Sequence, residues 1–220
     1  DDRTAVNAAL ENYLRTTPKA YGFATFNPAV DDISPKRLKA LKNIERMAGV
    51  ALYCAEDHFH PAHSRALQFY EAAEELGLIV FFNNCPPYSP TAVLDYAQPW
   101  LLDEVARTFP SLRIIVGRMG VPFHFQTLCL LGKHENVYAD LTIHPEKLWG
   151  VYNLVMGAYE AGVTDKLLFG SGFPYAEPGP CIETLLGLNK MMADTHLPQV
   201  PREKLRSIVE RDSLAALGIK

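Results

Sequence analysis

Short apolar runs that alternate with amphipathic stretches constrain the fold of this 220-residue chain more than any other feature. The runs cover residues 21–26, 50–53, 78–82, 112–116, 137–141 and 167–170. They are rich in Val, Ile, Leu and Phe with little polar alternation, the pattern of strands covered on both faces of a parallel sheet. Between them lie helical stripes. Leu38, Leu41 and Ile44 form one, and Leu67, Tyr70 and Ala73 form another that stops at Gly77. Leu101, Val105 and Phe109 form a third, and Leu148, Tyr152, Val155 and Tyr159 a fourth that stops at Gly162. Apolar residues at this spacing share one helix face. Pro35, Pro99, Pro122, Pro145 and Pro201 stand at predicted first helical positions, where the missing N–H has no intrahelical partner. Ser34 is the predicted N-cap. Trp100, Phe109 and Trp149, at helical spacing, are read as core.

Repeated strand–helix units of this kind build either a (β/α)8 barrel or an open doubly wound sheet. No Gly-x-Gly-x-x-Gly follows a strand, so the dinucleotide-binding version lacks its fingerprint. The chain opens on a helical pattern (Val6, Leu10, Tyr13, Leu14) rather than a strand. A closed barrel needs eight strands. The expectation is therefore one α/β domain over residues 1–220, a (β/α)8 barrel with about six recognisable strands, with either the first strand–helix units missing at the N-terminus or the barrel incomplete. Such a barrel would expose apolar strand edges, and a homo-oligomer would cover them.

Composition excludes several function classes. The net charge of −4 gives no reason to expect nucleic acid or an anionic membrane as partner. No apolar run approaches the ~18 residues that span a bilayer. Cys54, Cys85, Cys129 and Cys181 are widely spaced with no Cys-x-x-Cys pair, which points to free thiols and a reducing, cytoplasmic compartment.

The segment Lys166-Leu167-Leu168-Phe169-Gly170-Ser171-Gly172-Phe173-Pro174 reads as a buried strand ending in a tight turn. It resembles the last barrel strand of the amidohydrolase superfamily, whose motif is Gly-Ser-Asp-Phe/Tyr-Pro. Other segments resemble the same branch, the one containing aminocarboxymuconate-semialdehyde decarboxylase and the pyrone-dicarboxylate lactonases. They are residues 69–78, 109–116 and 135–140, and a closing helix over 211–218. The resemblance runs from about Tyr21 to the C-terminus and implies a (β/α)8 barrel.

It also implies a divalent metal, zinc or manganese, held by His-x-His on the first strand, His on the fifth and sixth, and Asp on the eighth. Such an ion lowers the pKa of a bound water and makes a nucleophile near neutral pH. This chain departs from the pattern at each position that aligns. Asn83 stands at the fifth-strand His, Arg118 at the sixth-strand His, and Gly172 at the eighth-strand Asp that serves as general base. No His-x-His can be assigned to a first strand. Glycine has no ligand atom, asparagine is a weak neutral donor, and arginine brings a fixed positive charge without a lone pair. No cofactor is therefore expected in this chain.

The remaining candidates each have two readings. His58 and His60, with His63 nearby, form a metal site or a solvated loop. Arg118, with Asn83 and Asn84, receives a carboxylate or phosphate on a ligand, or Arg118 pairs with Asp140 or a loop carboxylate and plugs the site. Asp140 and His144 form an acid–base pair, or Asp140 satisfies backbone donors and His144 caps the next helix. Cys54 and Cys85 are read as small apolar filler. Residues 86–90 (Pro-Pro-Tyr-Ser-Pro) form a stiff lid or connector. Three functions follow: an amidohydrolase-like barrel acting on small carboxylated substrates but impaired by its substituted ligands, a non-catalytic anion-binding barrel, or an active hydrolase whose ligands come from a missing N-terminal segment.

Overall fold

Parallel pairing demands that every strand be covered on both faces, and the apolar runs meet that demand in the computed structural model, which describes residues 2–219. The strands are β1 (Gly22–Thr25), β2 (Met47–Leu52), β3 (Ile79–Phe82), β4 (Ile114–Val116), β5 (Val137–Thr142) and β6 (Leu167–Gly170). They form one six-stranded sheet whose spatial order is the chain order, and all neighbouring pairs are parallel. Crossovers of one hand between successive neighbours place the helices on one face and curl the sheet toward a barrel. The helices are α1 (Asp2–Thr16), α2 (Pro35–Lys42), α3 (Ser64–Glu75), α4 (Leu102–Thr108), α5 (His124–Lys133), α6 (Leu148–Glu160), α7 (Pro178–Leu186), α8 (Arg202–Glu210) and α9 (Ser213–Ala216).

The main core lies between the sheet and this helical layer. It joins Val50, Val80, Ile114 and Leu167 to Leu38, Phe69, Tyr70 and Val155. The opposite, inner face carries a second cluster, in which Ala48, Ile79, Ile115 and Leu168 meet Leu217 from the C-terminal segment. Tyr138 donates its hydroxyl to Ala216 O at 3.2 Å, which ties that segment to the inner face. The interior of the curled sheet is thus packed with side chains, as in barrels of this type.

Proline and capping follow the sequence in part. Pro35 is the first residue of α2, and Ser34 Oγ accepts from Arg37 N at 3.3 Å. Pro99 and Pro145 begin short 3-10 turns that run into α4 and α6. Pro201 stands one position earlier, at the cap of α8, and Pro122 precedes α5 by two residues. The reading of Trp100 and Trp149 as core is corrected: they are 59% and 57% exposed. Trp149 stacks on the buried Tyr152 and covers it from the solvent side. Phe109 is buried as expected.

Among the described residues, β1 and β6 are each paired on one side only. A side chain occupies backbone groups on each free edge. Asn7 of α1 accepts from Thr25 N and donates to Thr25 O, each at 2.8 Å, and so occupies backbone groups at the outer edge of β1. Arg211 donates to Leu167 O at 3.0 Å and to the carbonyls of Thr164 and Asp165, covering the entry to β6.

Candidate functional site at the C-terminal ends of the strands

All six strands point their C-terminal ends the same way, so the loops that follow them collect at one face. In this fold that is where ligands bind. A cavity of about 1020 Å³ opens there. Its wall is built strand by strand. Tyr53 and Glu56 follow β2, Asn83 to Ser89 follow β3, Arg118 follows β4, Asp140 and Thr142 come from β5, and Gly172, Phe173 and Tyr175 follow β6. His144 and Lys147, between β5 and α6, complete it.

The turn after β4 aims Arg118. Arg118, Met119 and Gly120 all have positive φ (46°, 56° and 66°), a left-handed run. Such a conformation costs about 1–3 kcal/mol for a non-glycine residue and persists only where surroundings enforce it. The Arg118 N–H donates to Asp140 Oδ2 at 3.2 Å. The guanidinium does not pair with Asp140, which corrects that expectation: the left-handed turn gives Asp140 the backbone donor and sends the side chain elsewhere. Arg118 Nη2 contacts His144 Nε2 at 2.9 Å, and Nη1 donates to Pro86 O. Arginine is a donor only, so His144 accepts at Nε2 and carries its proton on Nδ1. Burial, aided by the charges of Arg118 and Lys147, lowers the pKa of His144 and holds it neutral. Among the described residues no carboxylate lies within ion-pairing distance of the Arg118 side chain.

Asp140 is anchored by one oxygen. Oδ2 accepts from Thr142 Oγ1 at 2.7 Å as well as from Arg118 N. Among the described residues Oδ1 has no hydrogen-bond partner, and it lies against Gly170, where an added Cβ would sit only 2.4 Å away. Burial raises the pKa of Asp140, against the opposing pull of Thr142 and Arg118. Its backbone-satisfying role and its place in the cavity thus coincide. The other half of its alternative fails: His144 makes no side-chain cap to the following turn, because its ring is turned to Arg118.

The loop after β3 is stiffly held. Glu56 accepts from Ser89 N at 2.9 Å and from Ser89 Oγ, and Tyr88 donates to Asn84 O at 2.9 Å. Asn84 is buried and accepts from Ala55 N at 3.2 Å, so its carboxamide is engaged in tying two strand ends together. Asn83 faces the cavity and accepts from Cys85 Sγ at 3.1 Å. Burial raises the Cys85 thiol pKa despite Arg118 nearby, and that of Cys54 to about 12, so neither favours the thiolate. Across the cavity Phe173 and Tyr175 are 67% and 89% exposed, apolar surface that the fold leaves uncovered at the mouth. The sequence pattern does not mark either as a site residue. Their place just beyond the turn that ends β6, at Ser171 and Gly172, is the signal that could have found them.

Two of the three loop histidines make local hydrogen bonds. His60 Nδ1 accepts from Ala62 N at 3.0 Å, and His63 caps α3 by accepting from Arg65 N at 3.3 Å. Among the described residues no group of three or more His, Cys, Asp or Glu side chains is arranged to hold a metal ion. The donor set at the cavity also does not fit one. Arg118 lies between Pro86, His144 and Asp140, and its charge opposes a second cation there. Gly172 offers no donor, and its φ of +66° with Thr142 Cγ2 2.9 Å from an added Cβ leaves little room for one.

Fold and site together define an α/β protein of the (β/α)8 type with its functional face at the strand C-termini. The chain belongs to the amidohydrolase family, whose model matches residues 1–209. No curated protein matches it at the sequence level. Among solved structures it is similar to an uncharacterized TIM-barrel protein of Bordetella bronchiseptica, with 20% identity, a TM-score of 0.68, and 96% of this chain covering 73% of that one. It is similar also to a probable 2-pyrone-4,6-dicarboxylic acid hydrolase of Acinetobacter baumannii with citric acid bound (17% identity, TM-score 0.66, 96% of this chain and 78% of that one). A third is a dihydroxybenzoic acid decarboxylase of Polaromonas with bound manganese (13% identity, TM-score 0.64, 99% of this chain and 75% of that one). Structural relatives of this barrel thus decarboxylate or hydrolyse small carboxylated molecules, and one of them holds a divalent metal. No helix among the described residues is long and apolar enough to cross a membrane.

Proposed function

We propose that the cavity binds a small carboxylated molecule through Arg118, and that the metal-dependent hydrolysis or decarboxylation of the family is impaired in this chain. One observation carries the reading. Arg118 is a partly buried guanidinium that lines a cavity of about 1020 Å³, and among the described residues its side-chain partners are neutral: Pro86 O, His144 Nε2 and the Cys85 thiol. A buried charge needs a partner of opposite sign, and a guanidinium fork matches a carboxylate. Lys147 at the rim adds a second positive charge, and Phe173 and Tyr175 offer apolar surface to the body of the ligand. The substrates named for the relatives, a dihydroxybenzoic acid and a pyrone dicarboxylic acid, have this combination of carboxylate and flat ring. The free cysteines support a reducing, cytoplasmic setting.

The test is titration calorimetry of the 220-residue chain with dihydroxybenzoate and with citrate, beside Arg118→Ala. A hydrogen bond to a charged group is worth about 1.5–3 kcal/mol, so the variant is expected to bind at least about tenfold more weakly. Equal binding by both proteins would remove Arg118 from the site. In parallel, the chain is incubated with excess zinc or manganese and dialysed. No retained metal is expected; near-stoichiometric metal by elemental analysis would overturn the impairment.

A further inference from the structure

The anion reading leaves one group in the cavity unexplained. Asp140 puts a carboxyl oxygen on the same wall as Arg118. Its two oxygens are not equivalent. Oδ2 takes both donors, Arg118 N at 3.2 Å and Thr142 Oγ1 at 2.7 Å, and is therefore the carbonyl-like oxygen. Oδ1 has no partner among the described residues, and position 170 beside it has no room for a side chain, since a Cβ there would stand 2.4 Å from it. An ionised Asp140 would set a negative oxygen beside the carboxylate that Arg118 receives. A neutral Asp140 would instead offer that carboxylate a donor.

We propose that Asp140 contacts the ligand as a neutral acid, with Oδ1–H donating to the anionic oxygen held by Arg118, so that binding takes up one proton. The proposal rests on the reading of the cavity as a carboxylate site. The proton comes from solvent and stays on Oδ1; no other bond forms or breaks.

The groups facing Asp140 are consistent with this. From the end of β4 comes Arg118, whose guanidinium is turned to Pro86 and His144 and makes no ion pair with the carboxyl. From the end of β3 comes the Cys85 thiol, kept protonated by burial. From β6 Gly170 lies against it and brings no titratable group. Thr142 is its neighbour on β5, and beyond it stand neutral His144 and then Lys147 at the rim. Across the cavity Glu56 is occupied by Ser89, and burial raises the Tyr88 phenol to about 12. Burial raises Asp140 as well, in the direction the neutral form requires. His144, which touches Arg118 and feels Glu146 beyond it, would also favour anions when protonated.

The experiment is calorimetric titration of dihydroxybenzoate from about pH 5 to about pH 8, in pairs of buffers that differ in ionisation enthalpy. The buffer difference reports protons taken up by the wild-type protein and needs no variant. Asp140→Asn and His144→Gln are titrated beside it. The expected result is proton uptake, with affinity falling up to about tenfold per pH unit once the free carboxyl ionises. Asp140→Asn should keep its affinity at high pH, because the amide N–H replaces Oδ1–H, and should lose the pH slope. His144→Gln should keep the slope. Binding without proton uptake, or a slope that survives Asp140→Asn and disappears in His144→Gln, would overturn the role of Asp140 and leave the Arg118 site standing. No binding of dihydroxybenzoate or citrate at any pH would bring down the carboxylate site itself, and this proposal with it.

Discussion

At the residue scale, the backbone at Gly172 opposes the return of a carboxylate donor to that position. Its φ of +66° is the left-handed region, and Thr142 Cγ2 lies 2.9 Å from where a Cβ would be. An L-residue there costs about 1–2 kcal/mol. Gly172→Asp is expected to lower Tm by roughly 2–8 °C, about 2–4 °C per kcal/mol for a chain of this size. It should retain no zinc after dialysis, because Arg118 still supplies its charge. Scanning calorimetry and elemental analysis check both halves; a stable variant with one zinc per chain would contradict them. The missing donor at Gly172 is legible in the sequence, whereas the direction of Arg118 is not. Its type and strand-end position point to an anion site, yet they equally suggest a pair with Asp140 that the guanidinium does not make. Sequence carries no mark for a left-handed turn at Arg118 and Met119 beyond the neighbouring Gly120, and it is that turn which separates backbone donor from side chain.

At the element scale, all six strands are legible because their apolar runs stand out even where burial alternates, as in β1 and β5. Their ends are less so. β2 begins at Met47, ahead of the apolar run that starts at residue 50, because Ala48 and Gly49 carry too little side chain to register. Gly49 is required by proximity: an added Cβ would lie 2.0 Å from Ile79 O on β3. What holds the elements in place is largely polar and invisible to hydrophobic periodicity. Asn136, just before β5, donates its amide to Phe109 O and Leu112 O at 2.9 Å each and to Ala106 O at 3.4 Å. One side chain thereby satisfies the end of α4 and the entry to β4. Asn136→Ala removes these bonds, although Phe109 O keeps the Leu112 N–H; at about 1 kcal/mol net per good bond the expected loss is about 2–3 kcal/mol. Urea unfolding should show a lower midpoint with an unchanged slope. A change of under ~0.5 kcal/mol would mean that water replaces the amide without cost.

At the scale of the whole molecule, sheet order follows chain order, and this places every loop of the cavity on one face while leaving β1 and β6 as edges. The sequence patterns imply a sheet of this length, but not how its edges are managed, since that depends on two polar residues far apart in the chain. Asn7 covers Thr25 with a pair of hydrogen bonds, and Arg211 covers Leu167 O and two preceding carbonyls. Uncovered backbone along an edge strand is a template for pairing with another chain. The two edges lie on opposite sides of the sheet and share no partner residues, so their effects should add. Asn7→Ala combined with Arg211→Ala should therefore associate at concentrations where the parent chain does not, with light scattering rising before any loss of helical signal. Single variants should fall between parent and double variant. Asn7, Thr25, Leu167 and Arg211 do not line the cavity, so dihydroxybenzoate binding by freshly purified double variant should match the parent. Association that arises only after the helical signal has collapsed would assign the two side chains to global stability instead of edge protection.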